Sequence, residues 1–176
     1  NQTKKIALLL PFNLAKVQGD TVNTISVRLK KDKFLNMTLD FYTGALMAID
    51  SAKQLGIAVD VSVFDSEETK NSSNVPKLIS DNHLENFSAV IGPFYQTNVE
   101  KTAELLSGNQ VVVISPLSKE IGKSYPNLFQ SITSNLLIRS AIFDFMRSKN
   151  GNIIAVVDKK KVSVKKYISE NQKDVR

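Results

Sequence analysis

An α/β fold built on a doubly wound parallel sheet, followed by the beginning of a second α/β lobe, is what this 176-residue sequence predicts. Three observations lead there. Strand-sized apolar segments recur at 5–10 (KIALLL), 58–64 (AVDVSVF), 89–91 and 111–114. Between them lie segments whose apolar residues fall at helical spacing, and strands alternating with helices imply right-handed crossovers and a parallel sheet covered on both faces. The composition, 42% hydrophobic and 23% charged, belongs to a globular chain and not to a disordered one. No apolar run approaches the roughly 18–20 residues of a membrane span.

In chain order, the run 5–10, ended by Pro11, has the continuous apolar character of a strand buried on both faces. Residues 11–33 are polar and rich in Asn, Lys and Asp, and read as a long loop with a short strand at 24–29; a connection of that length is functional or mobile. Residues 35–55 carry the strongest helix signal. Leu39, Tyr42, Leu46 and Ile49 form one stripe with Phe41, Ala45, Ala48 and Ala52 beside it, which places Tyr42 in the core, and Gly56 suits the left-handed stop after a helix. A strand at 58–64 is followed by a polar stretch, in which Asp65, Glu67 and Glu68 read as solvated or helix-capping, and by a helix near 75–84 with His83 exposed on it. The strand 89–91 ends at Gly92-Pro93. Thr97 and Glu100 have the spacing of a capping box, so a helix starts there and runs to about 106; the strand 111–114 is then stopped by Ser115-Pro116.

The chain changes character near residue 131. Residues 1–131 carry 13 Lys+Arg and 13 Asp+Glu, whereas residues 132–176 carry 10 and 4, so the tail holds the whole net charge of +6. Residues 128–131 read as an extended crossover, Ser134 as a helix cap, and Leu137, Ile138, Ala141, Ile142 and Phe145 as one helical face ended by Asn150-Gly151. A buried strand at 152–157 and a weak helix at 161–170 follow. One strand and two helices cannot bury their faces alone. The division expected is therefore an N-terminal lobe, 1–131, and the first part of a truncated second lobe, 132–176, with a homo-oligomer through the apolar surface of that tail.

Several chemistries lose their support. With no cysteine, thiolate metal sites are excluded; a single histidine, His83, speaks against a histidine-based triad or metal cluster, and no metal or other cofactor is expected. The first strand is not followed by G-x-G-x-x-G, and neither a phosphate-binding P-loop nor a G-x-S-x-G nucleophile elbow occurs. The lysines of 158–166 read as a solvated face, and no nucleic-acid partner is expected. In open α/β sheets, ligands sit beyond the carboxyl ends of the strands. Here that leaves a helix N-terminus at 96–99 facing the crevice, suited to a carboxylate. Asp65 with Lys119 is the best acid/base pair an enzyme could use.

Five segments carry a family resemblance: 5–11 (KIALLLP), 44–49 (GALMAI), Phe64-Asp65, 89–93 (AVIGP) and 113–118 (VISPLS). In this order and spacing, across about residues 4–131, the chain resembles the periplasmic binding protein type I family, which includes receptors for branched-chain amino acids. Residues 127–130 look like its first crossing into the second lobe. The details (LPFN, the lysine-rich 11–33 segment, FYTGALMAIDSAK, ISPLSKE) are similar to a Bacteroidetes-type subgroup found downstream of LysM peptidoglycan-binding repeats. The resemblance implies a two-lobed clamshell that closes on a small ligand, held after the third and fourth strands by Tyr95, Gln96, Thr97, Asn98, Ser115, Ser118 and Lys119. Pro93-Phe94-Tyr95-Gln96 and Ser118-Lys119 depart from the small and hydroxyl residues that amino-acid receptors often have there.

The resulting expectation is a non-catalytic protein of the periplasm or cell envelope, acting in peptidoglycan-associated interaction or regulation with a peptidoglycan or synthase partner. The alternative is a solute-binding receptor for an amino acid or small polar carboxylate, and the remote one an α/β enzyme. The opening Asn1-Gln2-Thr3 lacks a signal-peptide pattern, and neither a signal nor an anchor is read in the chain.

Overall fold

The computed structural model describes residues 3–120 and 122–176; Asn1 and Gln2, with which the leader reading begins, lie outside them. The chain divides into two compact units, one up to Ile132 and one from Thr133.

In the first unit, five parallel strands stand in the order β2-β1-β3-β4-β5. They are β1 (Lys4–Leu10), β2 (Val59–Asp65), β3 (Ala89–Ile91), β4 (Val112–Ser115) and β5 (Leu128–Gln130). The apolar β1 is interior to the sheet, with Ile6 facing Val61 of β2 on one side and Ala89 of β3 on the other. Its side chains alternate between two layers. Ala7 and Leu9 join Val90, Val113 and the helices α4 (Val75–Asn82) and α5 (Gln96–Leu106), through Val75, Val99, Ala103 and Leu106. Leu8 and Leu10 join Phe94 and the helix α3 (Lys33–Gln54), through Phe34, Phe41, Tyr42 and Ala45. With helices on both faces, the doubly wound α/β expectation holds.

The two layers differ in finish. Every residue of the α4/α5 core cluster is at most 2% exposed, whereas on α3 Leu46 and Met47 remain 46% and 69% exposed. An apolar groove of about 480 Å³ lies between α3 and the strands, lined by Ile6, Leu8, Val61, Ala45, Ile49 and their neighbours. Tyr42 is half-buried, its ring edge-on to Phe12 at 5.5 Å. Gly56 does adopt the left-handed conformation (φ 71°) just after α3.

Four expectations need correction. The segment 11–33 is not a loop with a strand at 24–29. It folds as α1 (Leu14–Gln18) and α2 (Ile25–Lys31), the latter capped by Thr24, whose hydroxyl accepts from Val27 N–H at 3.4 Å. Their supports are polar and partly remote: Asp65, 51–52 residues away in sequence, accepts from the backbone N–H groups of Asn13 and Leu14, and Arg28 pairs with Asp20 at 3.1 Å. Second, α5 starts two residues earlier than the capping box requires, with Tyr95 as its cap residue. Thr97 lies inside the first turn and donates to Lys70 O at 2.7 Å, while Glu100 accepts from Gln96 Nε2 at 2.9 Å. Third, residues 128–130 are a true edge strand, registered on β4 with Ile114 opposite Phe129.

The fourth correction falls in the second unit, which contains α6 (Asn135–Arg147), capped by Ser134 as expected, and α7 (Val162–Asn171). Residues 152–157 are extended but neither buried nor a sheet strand. Ala155 N–H donates to Arg176 O and Arg176 N–H to Ile153 O, at 2.8 and 3.1 Å, and Ile154 and Val156 are 73% and 97% exposed. A single facing residue does not make a ladder. Tyr167 of α7 is buried near Phe143 of α6, at 6.3 Å between ring centroids, beneath the Arg139 guanidinium at 5.4 Å. Among the described residues, no helix is long and apolar enough to cross a membrane.

Candidate functional site

The parallel sheet sends β3 and β4 out at the same edge, and the chain turns sharply after each. After β3, Gly92 takes φ 97° and leads through Pro93 into Phe94 and α5; its N–H donates to Ile114 O at 2.9 Å. After β4, Pro116 turns the chain into Leu117–Glu120. These two turns and the start of α3 enclose a cleft of about 390 Å³.

Of the seven residues expected to touch a ligand, Tyr95, Gln96, Thr97, Ser118 and Lys119 line this cleft. Tyr95 stacks on Phe34, with centroids 5.2 Å apart and planes 19° from parallel, and forms an aromatic wall. The other two are placed elsewhere. Asn98 is buried behind the cleft, where its Nδ2 donates to Glu68 Oε2 at 2.8 Å and to Thr69 O at 2.9 Å. Ser115 is fully buried at the β4 end, and its carbonyl accepts both the N–H and the hydroxyl of Ser131 at 3.0 Å. Each of the two fastens a neighbouring segment. Nor is Asp65 brought together with Lys119: its carboxylate is engaged by Asn13, Leu14 and Glu67 N–H groups and does not line the cleft.

The cleft also has members that sequence reasoning did not single out. Phe34 comes from α3, Lys70 from the β2–α4 connection and Glu120 from the β4–β5 connection. Its lining includes Lys70 and Lys119 and one carboxylate, Glu120, so the site carries a net positive charge. No local motif marks Lys70, because it reaches the cleft only when the β2–α4 connection folds against α5 through the Thr97 hydroxyl.

Behind the cleft floor sits Glu68, 1% exposed. Glu67, at φ 42°, turns the chain inward. The Glu68 carboxylate then accepts from Phe94 N–H at 2.6 Å, Tyr95 N–H at 3.3 Å and Asn98 Nδ2 at 2.8 Å. The capping alternative read for this acidic stretch is thus realised at two helices, by Asp65 on α1 and by Glu68 on α5. Burial pushes the Glu68 carboxyl above the ordinary glutamate value, against the pull of its three hydrogen bonds.

A folded-state pKa above the unfolded one means that the folded chain holds this proton more tightly. The associated stabilisation is complete below a pH of about 4.5 and is lost as pH rises through the raised value. The stability of the protein relative to Glu68→Gln is therefore expected to decline as pH is raised above about 4.5. Urea midpoints of the two proteins measured across that range check this, and a difference that does not change with pH contradicts it.

No group of three or more metal-ligating side chains occurs among the described residues. No family model matches the sequence, and no curated protein matches it. Solved structures do. An ABC transporter substrate-binding protein from Desulfitobacterium hafniense is 14% identical with a TM-score of 0.57, and its complex with Leu is 15% identical with a TM-score of 0.56; each match covers 98% of this chain and 48% of that one. A protein from Silicibacter pomeroyi described as a branched-chain amino acid ABC transporter is 15% identical with a TM-score of 0.55, over 98% of this chain and 45% of that one. Identities this low speak to the fold alone: the chain has the mixed α/β, five-strand parallel-sheet fold of type I periplasmic binding proteins and spans about half the length of the solved structures it matches.

Proposed function

We propose that the first unit is a ligand-binding lobe for a small polar solute bearing a carboxylate, amino-acid-like in size, in a substrate-binding protein that works outside the cytoplasm. The observation that carries this reading is the cleft itself. Its place at the carboxyl ends of β3 and β4, its Phe34–Tyr95 wall and its two lysines against one acid suit a ligand with an apolar part and a negative end. The second unit is then the first part of a second α/β lobe. The solved structures similar in fold include substrate-binding proteins, one of them bound to Leu. This favours the solute-binding alternative over the peptidoglycan-associated reading. The similar structures give no support to a LysM association, a peptidoglycan or synthase partner, or self-association. Among the described residues no nucleophile and base are paired in the cleft, and the role proposed is binding without catalysis.

The test is thermal stability of the full-length protein against free amino acids, short peptides and simple carboxylates, since a ligand that binds only the native state raises Tm by mass action. One solute is expected to raise Tm, and Lys119→Glu to weaken its affinity by about tenfold or more, as loss of one charge-assisted contact would. No shift with any of these solutes would overturn the reading.

A further inference from the structure

Glu100, which the sequence pairs with Thr97 in a capping box, is turned to another use. From the second turn of α5 its Oε1 accepts from Gln96 Nε2 at 2.9 Å, one turn back along the helix. It also accepts from the backbone N–H of Lys123 at 3.1 Å, 23 residues on in the β4–β5 connection. That connection comes down on the carboxylate so closely that a Cβ at Gly122 would overlap Glu100 Oε1 and stand 2.7 Å from Gln96 Nε2. The same connection carries Ser118, Lys119 and Glu120, which line the cleft, as Gln96 does. Among the described residues, hydrogen bonds tie 117–124 to the rest of the unit at two points. One is Glu100 on α5, and the other is Gln130 of β5, whose Nε2 donates to Glu120 O at 2.7 Å.

We propose that Glu100 is a positioning residue for the cleft: it latches the β4–β5 connection onto α5 and so fixes where Lys119 and Glu120 stand against Gln96. A carboxylate suits this role because its two oxygens offer several lone-pair sites, so one side chain can hold donors from two segments. The bond to Gln96 also decides which way that amide faces. Its donor end goes to Glu100, and its Oε1 is left buried without a partner among the described residues. Glu100 does not itself line the cleft and acts through the residues that do. The effect on a solute's affinity rests on the solute-binding reading, whereas the latch does not.

Amide hydrogen exchange at Lys123 in the full-length protein reads the latch directly. In Glu100→Ala this N–H is expected to exchange about tenfold faster or more, the worth of one hydrogen bond to a charged group. The Val113 N–H, bonded to Asn127 O in the sheet, should keep its rate, which separates release of the latch from general unfolding. Glu100→Gln, whose amide oxygen still accepts, should restore slow exchange. Gly122→Ala evicts the carboxylate without removing it, because the far end of the Glu100 side chain gives way before backbone does. It should speed Lys123 as much as Glu100→Ala does, and the double variant should be no faster than either single one. Unchanged exchange at Lys123 in Glu100→Ala overturns the proposal, and so does a double variant in which the two effects add. If Glu100→Ala does not fold, Glu100→Asp, shorter by one methylene, takes its place with the same expectations. A solute that raises the Tm of the original should bind about tenfold more weakly to Glu100→Ala and Gly122→Ala, and nearly as tightly to Glu100→Gln. Equal affinity for all four proteins overturns the role in the cleft. If no solute binds the original, the solute-binding reading fails, and exchange at Lys123 still decides the latch.

Discussion

Gly92→Ala is expected to destabilise the first unit by more than about 3 kcal/mol, enough to leave much of a marginally stable domain unfolded. Two costs coincide at this position. Gly92 sits at φ 97°, where a side chain is strained by about 1–3 kcal/mol. A Cβ there would also stand 2.2 Å from the carbonyl oxygen of Leu9, near the carboxyl end of the interior strand β1. That oxygen is backbone in a paired, buried strand and cannot swing aside. Gly44→Ala provides the contrast: a Cβ there meets nothing within 4 Å, and replacing a mid-helix glycine should stabilise by about 0.5–1 kcal/mol. Urea denaturation of the two variants measures both, and a Gly92→Ala midpoint close to the original would mean that the β3–α5 turn is not as tight as described.

The same turn separates what the sequence made legible from what it did not. The strand β1 could be read from KIALLL because a strand interior to a sheet covered on both faces leaves no reason for alternation. Helix α3 could be read from its length and spacing, even though Leu46 of its stripe proves to be exposed, since periodicity reports which residues share a face and not what covers it. The helices α1 and α2 could not be read, because five and seven residues hold no apolar period. What fixes α1 is the Asp65 carboxylate arriving from the end of β2. The capping box at Thr97 and Glu100 misled for a related reason. Glu68 supplies the anion at α5 from outside the helix, which freed Thr97 to bind Lys70 O and Glu100 to hold Gln96. At the site, the residues whose roles depend only on following β3 or β4 fell into the cleft, namely Tyr95, Gln96, Thr97, Ser118 and Lys119. Asn98 and Ser115 follow the same strands but point into the protein. Which way the Asn98 side chain faces depends on Glu68, 30 residues away in the sequence.

Phe94→Ala is expected to cost about 3–5 kcal/mol, the range for deleting a buried aromatic side chain. Phe94 is 5% exposed and ties the sheet to α3. Its ring meets Phe41 edge-on at 5.2 Å and Phe34 edge-on at 6.3 Å, two contacts that add to the area it buries. This layer already contains the open groove beside α3, so few side chains are placed to collapse into the space left behind, which puts the cost in the upper part of the range. Phe94→Leu keeps most of the volume and loses the ring contacts, for about 1–1.5 kcal/mol. The pair of variants also separates fold from site. Phe34, one of the two aromatic partners of Phe94, is the residue on which Tyr95 stacks at the cleft. Removing Phe94 therefore frees the aromatic wall as well as the helix behind it, whereas the backbone N–H that holds Glu68 is unchanged by either substitution. Urea midpoints should rank the original above Phe94→Leu and Phe94→Leu well above Phe94→Ala. If instead Ala and Leu proved equally costly, the ring contacts and not the filled volume would be what fastens α3 to the sheet.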